Sequence, residues 1–69
     1  MTLSARNQLQ GKIVDIQEGA VNGCVTLDIG GGNKIYSTIS MNAIREMNLK
    51  VGAQASAVIK ATSVMIGMQ

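Results

Sequence analysis

A twenty-residue stretch near the middle of the chain, VNGCVTLDIGGGNKIYSTIS, constrains the fold more than any other part of the sequence. Apolar or small residues occupy every second position of residues 21–29, which is the period of a half-buried β-strand. Residues 34–40 alternate in the same way, and the glycines of residues 30–32 adopt positive φ angles without strain. The stretch predicts a β-hairpin with a loose tip.

The segment before the hairpin predicts a less regular strand over residues 10–19. Val14 and Ile16 would lie on one face of this strand, and Ile13 would lie on the other with polar neighbours. Because apolar residues are found on both faces, the alternation does not say clearly which face is buried.

The segment after the hairpin predicts one short helix and further strand. Ser40 can cap a helix over residues 41–49, and Gly52 helps to end it. Residues 53–60 alternate small apolar and polar side chains, and a last apolar piece follows at residues 64–66. Small alanines on one face of this strand suggest close packing against another surface. The order predicts an all-β fold, a small five-stranded OB-like β-barrel with one short helix.

The length of 69 residues predicts a single domain, residues 1–69, whose core is only marginally stable alone. Self-association is therefore expected. No apolar run approaches the roughly 20 residues that span a bilayer, so we expect no membrane partner. Cys24 is the single cysteine and no secretory leader is evident, which together predict a cytoplasmic location.

The residue types available for chemistry disfavour an enzyme. The chain has no histidine, and its four carboxylates are scattered over three predicted elements. Cys24 has no histidine partner that would activate it as a nucleophile. The same shortage of histidine and cysteine argues against a metal cation site. We therefore expect no catalytic residue, no bound metal cation and no cofactor.

Two polar segments near the chain ends suit a small anion. They combine a permanent positive charge with hydroxyl, amide and backbone donors, and neither contains a carboxylate. Their polar residues are Ser4, Arg6 and Asn7 in one segment and Lys60, Thr62 and Ser63 in the other. Each segment taken alone is better explained as a solvated strand end.

A third candidate is the segment EGAVNG, residues 18–23, which predicts a turn between two strands. The exposed backbone N–H groups of such a turn can also cradle an anion. An OB-like barrel also raises the alternative of a nucleic-acid or other macromolecule-binding module. The formal charge of +2 and a single aromatic residue, Tyr36, disfavour nucleic acid, because single-strand binders stack bases on aromatic side chains.

The segments SARNQLQGKIVDIQEGAVNGCVTLDIGGGNKIYSTIS and VIKATSVMI together resemble the molbindins, small cytoplasmic molybdate-binding proteins built on the Mop domain. The resemblance covers nearly the whole chain and is most specific in SARNQL and VIKAT. It implies an OB-like β-barrel assembled as a hexamer, described as a trimer of dimers, with oxyanions held between subunits.

Carried over by position, the resemblance implies a main oxyanion site shared by two chains. One chain would contribute Ser4, Ala5, Arg6 and Asn7, and its neighbour would contribute Lys60, Ala61, Thr62 and Ser63. A second oxyanion site, nearer the threefold axis, would use Gly19, Ala20, Val21 and Asn22.

The function expected from the sequence is therefore molybdate binding for storage or homeostasis, without catalysis. Tungstate is nearly the same size as molybdate, and the sequence does not separate the two. The alternative is the OB-like macromolecule-binding module. If the chain binds molybdate, pairing of subunits would bring the two polar segments together.

Overall fold

A computed structural model describes residues 2–69 and shows one antiparallel sheet with a short helix. The elements in chain order are strand β1 (Asn7–Gln17), strand β2 (Asn22–Gly30), strand β3 (Asn33–Ser40), helix α1 (Met41–Glu46), strand β4 (Gln54–Ile59) and a 3-10 turn (Ala61–Ser63). The order of strands in the sheet is β3-β2-β1-β4, so β3 and β4 form its two edges.

The predicted hairpin is confirmed. Strands β2 and β3 pair from Asn22 opposite Ser40 to Gly30 opposite Asn33, with one irregularity in register between Asp28 and Gly30. The φ angles of the three glycines at the tip are 93°, 63° and 81°, which is the left-handed region that favours glycine. The carboxylate of Asp28 accepts a hydrogen bond of 2.9 Å from the N–H of Gly30 and supports the tip.

Strand β1 contains a bulge that explains its irregular pattern. Ile13 lies opposite Leu27 and Asp15 lies opposite Thr26, so Val14 is the extra residue. Ile13 is fully buried, Ile16 packs against the same core, and Val14 is 38% exposed. The predicted faces were therefore wrong, because the extra residue reverses the alternation and brings Ile13 and Ile16 to the same side.

Helix α1 begins where the sequence predicts but ends earlier. The side chain of Ser40 accepts a hydrogen bond of 3.0 Å from the N–H of Ala43, and this cap satisfies a donor of the first turn. Met41 and Ile44 enter the core with 3% and 5% exposure. The helix ends at Glu46, before the predicted residue 49, and the chain turns away through the positive φ of Asn48, 53°.

The core lies between the sheet and the helix. Its buried side chains are Ile13, Val25, Leu27, Met41 and Ile44, and the alanines of the β4 region pack at its border. The mainly β fold with one short helix is confirmed, the sheet formed within the chain has four strands, and the apolar piece at residues 64–66 forms no fifth strand. Strand formation needs a neighbouring strand as well as apolar residues, and this segment does not lie along either edge of its own sheet.

None of the helices in residues 2–69 has the length and apolar character needed to cross a bilayer.

Candidate functional site

The two polar segments lie at the same end of the sheet. Strand β1 begins at Asn7, which pairs with Ile59 at the end of β4. Residues 4–6 lead into β1 at this end, and residues 60–63 leave β4 there. Antiparallel strand pairing within one chain therefore already brings the segments to one place, which the sequence had led us to expect from subunit pairing. We call this region the polar end.

The polar end is held by a few local hydrogen bonds. The side-chain amide of Gln8 donates to the carbonyl of Ala5 at 2.9 Å. The N–H of Ser63 donates to the carbonyl of Lys60 at 2.9 Å and closes the 3-10 turn. Side chains at this end are exposed in Ser4, Arg6, Lys60, Thr62 and Ser63, whereas Ala5 and Asn7 are half-buried. The donors are thus presented at the surface of the single chain, and the described residues do not enclose them in a cavity.

The charges at the polar end are all positive. Arg6 and Lys60 lie there, and none of the four carboxylates belongs to the two segments. Asp15 and Glu18 lie towards the other end of β1, which at ~3.3 Å per residue is about 30 Å away. Asp28 lies in β2 opposite Lys12. These three carboxylates therefore lie away from the place where Arg6 and Lys60 come together.

The second predicted site is the turn between β1 and β2, at the opposite end of β1. The carbonyl of Val21 accepts a hydrogen bond of 2.8 Å from the N–H of Met41, which ties the turn to the start of α1. A Cβ atom at Gly19 would collide with the carbonyl oxygen of Asn22, so the turn closes only with glycine at this position. Glu18 directly precedes the turn, and residues 19–22 contain no cation. We call this region the turn end.

The structure also shows an apolar groove that the sequence did not reveal as a site. It has a volume of about 450 Å³ and lies between the free edges of the sheet, with Ile13, Val25 and Leu27 as its floor. Its sides are formed by residues of β3 and β4, including Ile35, Tyr36, Ile39, Ala57 and Ile59. The signal available in the sequence was the run of alternating alanines, whose small side chains leave room for another surface.

Within the described residues, no group of three or more His, Cys, Asp or Glu side chains is placed to hold a metal ion. Cys24 is half-buried and lies opposite Thr38 in the hairpin.

Comparison with known proteins places this geometry in a family. The TOBE domain model matches residues 3–66. A protein of Haemophilus influenzae named "Probable molybdenum-pterin-binding protein" is 58% identical over 69 residues, which is 100% of both chains.

Two solved structures share the fold along nearly the whole chain. MopII of Clostridium pasteurianum, in an apo form, superposes with a TM-score of 0.91 at 49% identity and covers 97% of this chain and 100% of its own. A molybdate-binding protein of Sporomusa ovata superposes with a TM-score of 0.91 at 25% identity and covers 99% of this chain and 100% of its own. The OB-like fold is thereby confirmed, with four strands supplied by this chain. The chain belongs to the TOBE-domain family and, within it, to the Mop-type molbindins.

Proposed function

We propose that this chain is a cytoplasmic molybdate-binding protein that stores or buffers the oxyanion without catalysis. The observation that carries the proposal is the polar end, where strand pairing gathers Arg6, Lys60 and their neighbouring donors in two segments that contain no carboxylate side chain. The Sporomusa ovata relative is described as a molybdate-binding protein, and the name of the Haemophilus influenzae relative refers to molybdenum-pterin binding.

The chemistry of the polar end suits a tetrahedral dianion. Molybdate needs inward-pointing donors and compensating positive charge, and any carboxylate beside it would lower its affinity. Arg6 and Lys60 supply charge, while Ser4, Asn7 and Thr62 supply directional hydroxyl and amide donors. Sulfate is a smaller tetrahedral dianion and is disfavoured only by the size of the site. Tungstate is nearly the same size as molybdate and should bind alike.

We propose that the oxyanion is enclosed between subunits of a homo-oligomer. In the single chain the polar end is an exposed surface, and a buried dianion needs donors on all sides. A neighbouring copy would present its own polar end, so that the Ser4–Asn7 segment of one chain would face Lys60, Ala61, Thr62 and Ser63 of the other in addition to its own. The hexamer built as a trimer of dimers is the arrangement we propose, from the resemblance to the molbindins.

The groove and the C-terminal segment support such an assembly. Free edges of a sheet and exposed apolar patches are typical of surfaces that are covered by a partner. The apolar segment of residues 64–68, which we call the tail, does not line the groove of its own chain, and Met65 is 92% exposed and Ile66 90% exposed. We propose that the tail of one copy lies in the groove of another, where it would find both apolar contacts and unpaired strand edges.

The turn end is proposed as a second and weaker oxyanion site, formed by Gly19, Ala20, Val21 and Asn22. Its backbone N–H groups are its available donors, because the turn contains no cation. Glu18 beside it opposes a dianion.

The experiment that tests the proposal is calorimetric titration of the assembled protein with molybdate and then with sulfate, with the mass measured by light scattering in the same buffer. We expect tight molybdate binding and weaker sulfate binding. If subunits share the main sites, the measured number of main-site molybdate ions per chain should be less than one. A well-folded assembly that ignores molybdate but binds single-stranded oligonucleotides in a salt-sensitive way would replace this function with the macromolecule-binding alternative.

A further inference from the structure

We infer that the tail controls oxyanion affinity, because its docking on a second copy fixes the 3-10 turn that carries Lys60, Ala61, Thr62 and Ser63. Assembly and oxyanion binding would then strengthen each other, and the affinity for the oxyanion would depend on protein concentration. This inference rests on the proposed function and adds the regulation of that same site.

The first observation is that the turn and the tail are one continuous piece of backbone. Ser63 is the last residue of the 3-10 turn and Val64 is the first residue of the tail. The N–H of Val64 donates to the carbonyl of Ala61 at 3.3 Å, and its φ and ψ of −94° and 124° are extended. Any change in the direction of the tail therefore acts on the backbone of the candidate site.

The second observation is that nothing within the described chain covers this piece. Every residue from 60 to 69 is exposed, and the apolar side chains of Ile66 and Met68 reach 90% and 95% exposure. A chain segment with so few contacts is easily displaced, so a ligand that needs one arrangement of the turn must order it on binding.

The third observation is the match between the tail and the groove. An extended segment of five residues is about 17 Å long, close to the length of the six-residue strand β4 at one side of the groove. The tail is uncharged and apolar, and the groove is lined mainly by apolar side chains between two free strand edges. Because the tail belongs to no strand of its own sheet and does not line its own groove, the occupant we assign to the groove is the tail of a second copy.

The consequence follows from thermodynamic linkage. A tail docked on its neighbour holds the 3-10 turn in place before the oxyanion binds. Oxyanion binding then no longer includes the full loss of conformational entropy from ordering that turn. If docking raises oxyanion affinity by a factor of about ten, the oxyanion must strengthen docking by the same factor. Ile66 is then a positioning residue for the site, although it donates nothing to the ligand.

The test compares two variants that replace an exposed apolar side chain with a neutral amide. Ile66→Gln changes the tail, and Val51→Gln is the matched control in the turn before β4, where the side chain is 63% exposed. Neither variant removes a donor or changes charge at the polar end. We expect Ile66→Gln to dissociate more readily on dilution and to bind molybdate about tenfold more weakly, while Val51→Gln matches the unmodified protein in both measurements.

A dilution series of the unmodified protein supplies the reciprocal measurement. Sedimentation at several protein concentrations, with sodium molybdate or sodium chloride at equal ionic strength, should show stronger assembly with molybdate. The inference is overturned if Ile66→Gln stays assembled, or if it dissociates and keeps the affinity of the unmodified protein. If the unmodified protein binds no molybdate at any concentration, the proposed function itself fails.

Discussion

The polar end and the turn end lie at opposite ends of strand β1, and they are built in opposite ways. At the turn end, glycine is required sterically at position 19, and a backbone hydrogen bond joins Val21 to Met41. At the polar end, most side chains are exposed, and apart from the β1–β4 strand pairing the hydrogen bonds join residues only three positions apart. The turn end carries Glu18, whereas the polar end carries Arg6 and Lys60.

The difference separates the demands of folding from the demands of a ligand. The turn end connects the sheet to the helix, so changes there should mainly affect stability. The polar end contributes no side chain to the buried core, so changes there should mainly affect binding. Because core packing does not restrict the side chains at the polar end, these positions can carry hydrogen-bond donors and positive charge without loss of stability.

The largest expected effect is from Arg6→Ala at the polar end. Loss of a charge-assisted contact should weaken molybdate binding by about 10- to 100-fold, since hydrogen bonds to charged groups contribute about 1.5–3 kcal/mol. Because Arg6 is exposed, the free energy of unfolding should change by less than about 0.5 kcal/mol. Calorimetric titration and urea unfolding measure the two quantities.

The matched control for this change is Lys12→Ala, which removes an equal charge from the exposed middle of β1. It should leave molybdate affinity within about twofold, as expected for a screened distant charge. Equal losses from both variants would mean that net charge decides binding and that the main site is misplaced.

The next effect in size is from Gly19→Ala at the turn end. The added Cβ meets the carbonyl of Asn22, so the turn must open, and we expect a loss of about 2 kcal/mol in the free energy of unfolding. Val21→Ala is the control in the same turn, because its side chain is 73% exposed. Urea unfolding at a fixed protein concentration provides the measurement. If Gly19→Ala leaves the free energy of unfolding unchanged but weakens molybdate binding at the main site, the assignment of stability to the turn end and of binding to the polar end would be wrong.

A smaller loss of stability is expected from Ser40→Ala. The variant removes the hydroxyl that caps α1 and should lower the free energy of unfolding by about 1 kcal/mol. Ser56→Ala removes an exposed hydroxyl from β4 and should have little effect. Thermal or urea unfolding distinguishes the two, and molybdate affinity at the polar end should be the same in both. A drop in that affinity in Ser40→Ala alone would show that the helix supports the polar end.

The smallest expected effect is from Glu18→Gln. Removing this carboxylate should raise affinity at the second site by about two- to threefold at low salt, because exposed charges interact weakly. Glu46→Gln on α1 removes the same charge at a position outside the turn and serves as the control. Titration with a two-site analysis at two salt concentrations measures the change. Unaltered weak binding in Glu18→Gln would argue against an oxyanion at residues 19–22.

Much of the fold could be predicted because its signals are local. The hairpin depends on alternation and on three consecutive glycines, and the helix start depends on Ser40 three residues before Ala43. These features involve neighbours in sequence, so the sequence contains their causes. The end of the helix was less predictable, because the chain turns at Asn48 through a hydrogen bond from Leu49 to Ile44.

The failures concern contacts between distant residues. The bulge at Val14 becomes visible only when β1 is placed against β2, and it turns both Ile13 and Ile16 towards the core while Val14 is exposed. The missing fifth strand has a similar origin, since an apolar segment near the C-terminus forms a strand only beside a free edge. The apolar groove was not predicted because it is formed by two edge strands that are distant in sequence.

For the candidate site, the sequence by itself determined the residue types: two cations, several hydroxyl and amide donors, and no carboxylate in either segment. Only the tertiary structure decided that these segments lie together, because the pairing of Asn7 with Ile59 joins two parts of the chain that are separated in sequence by β2, β3 and α1. The physical reason is that composition and spacing set local chemistry, whereas strand order and register are set by burial of the shared core.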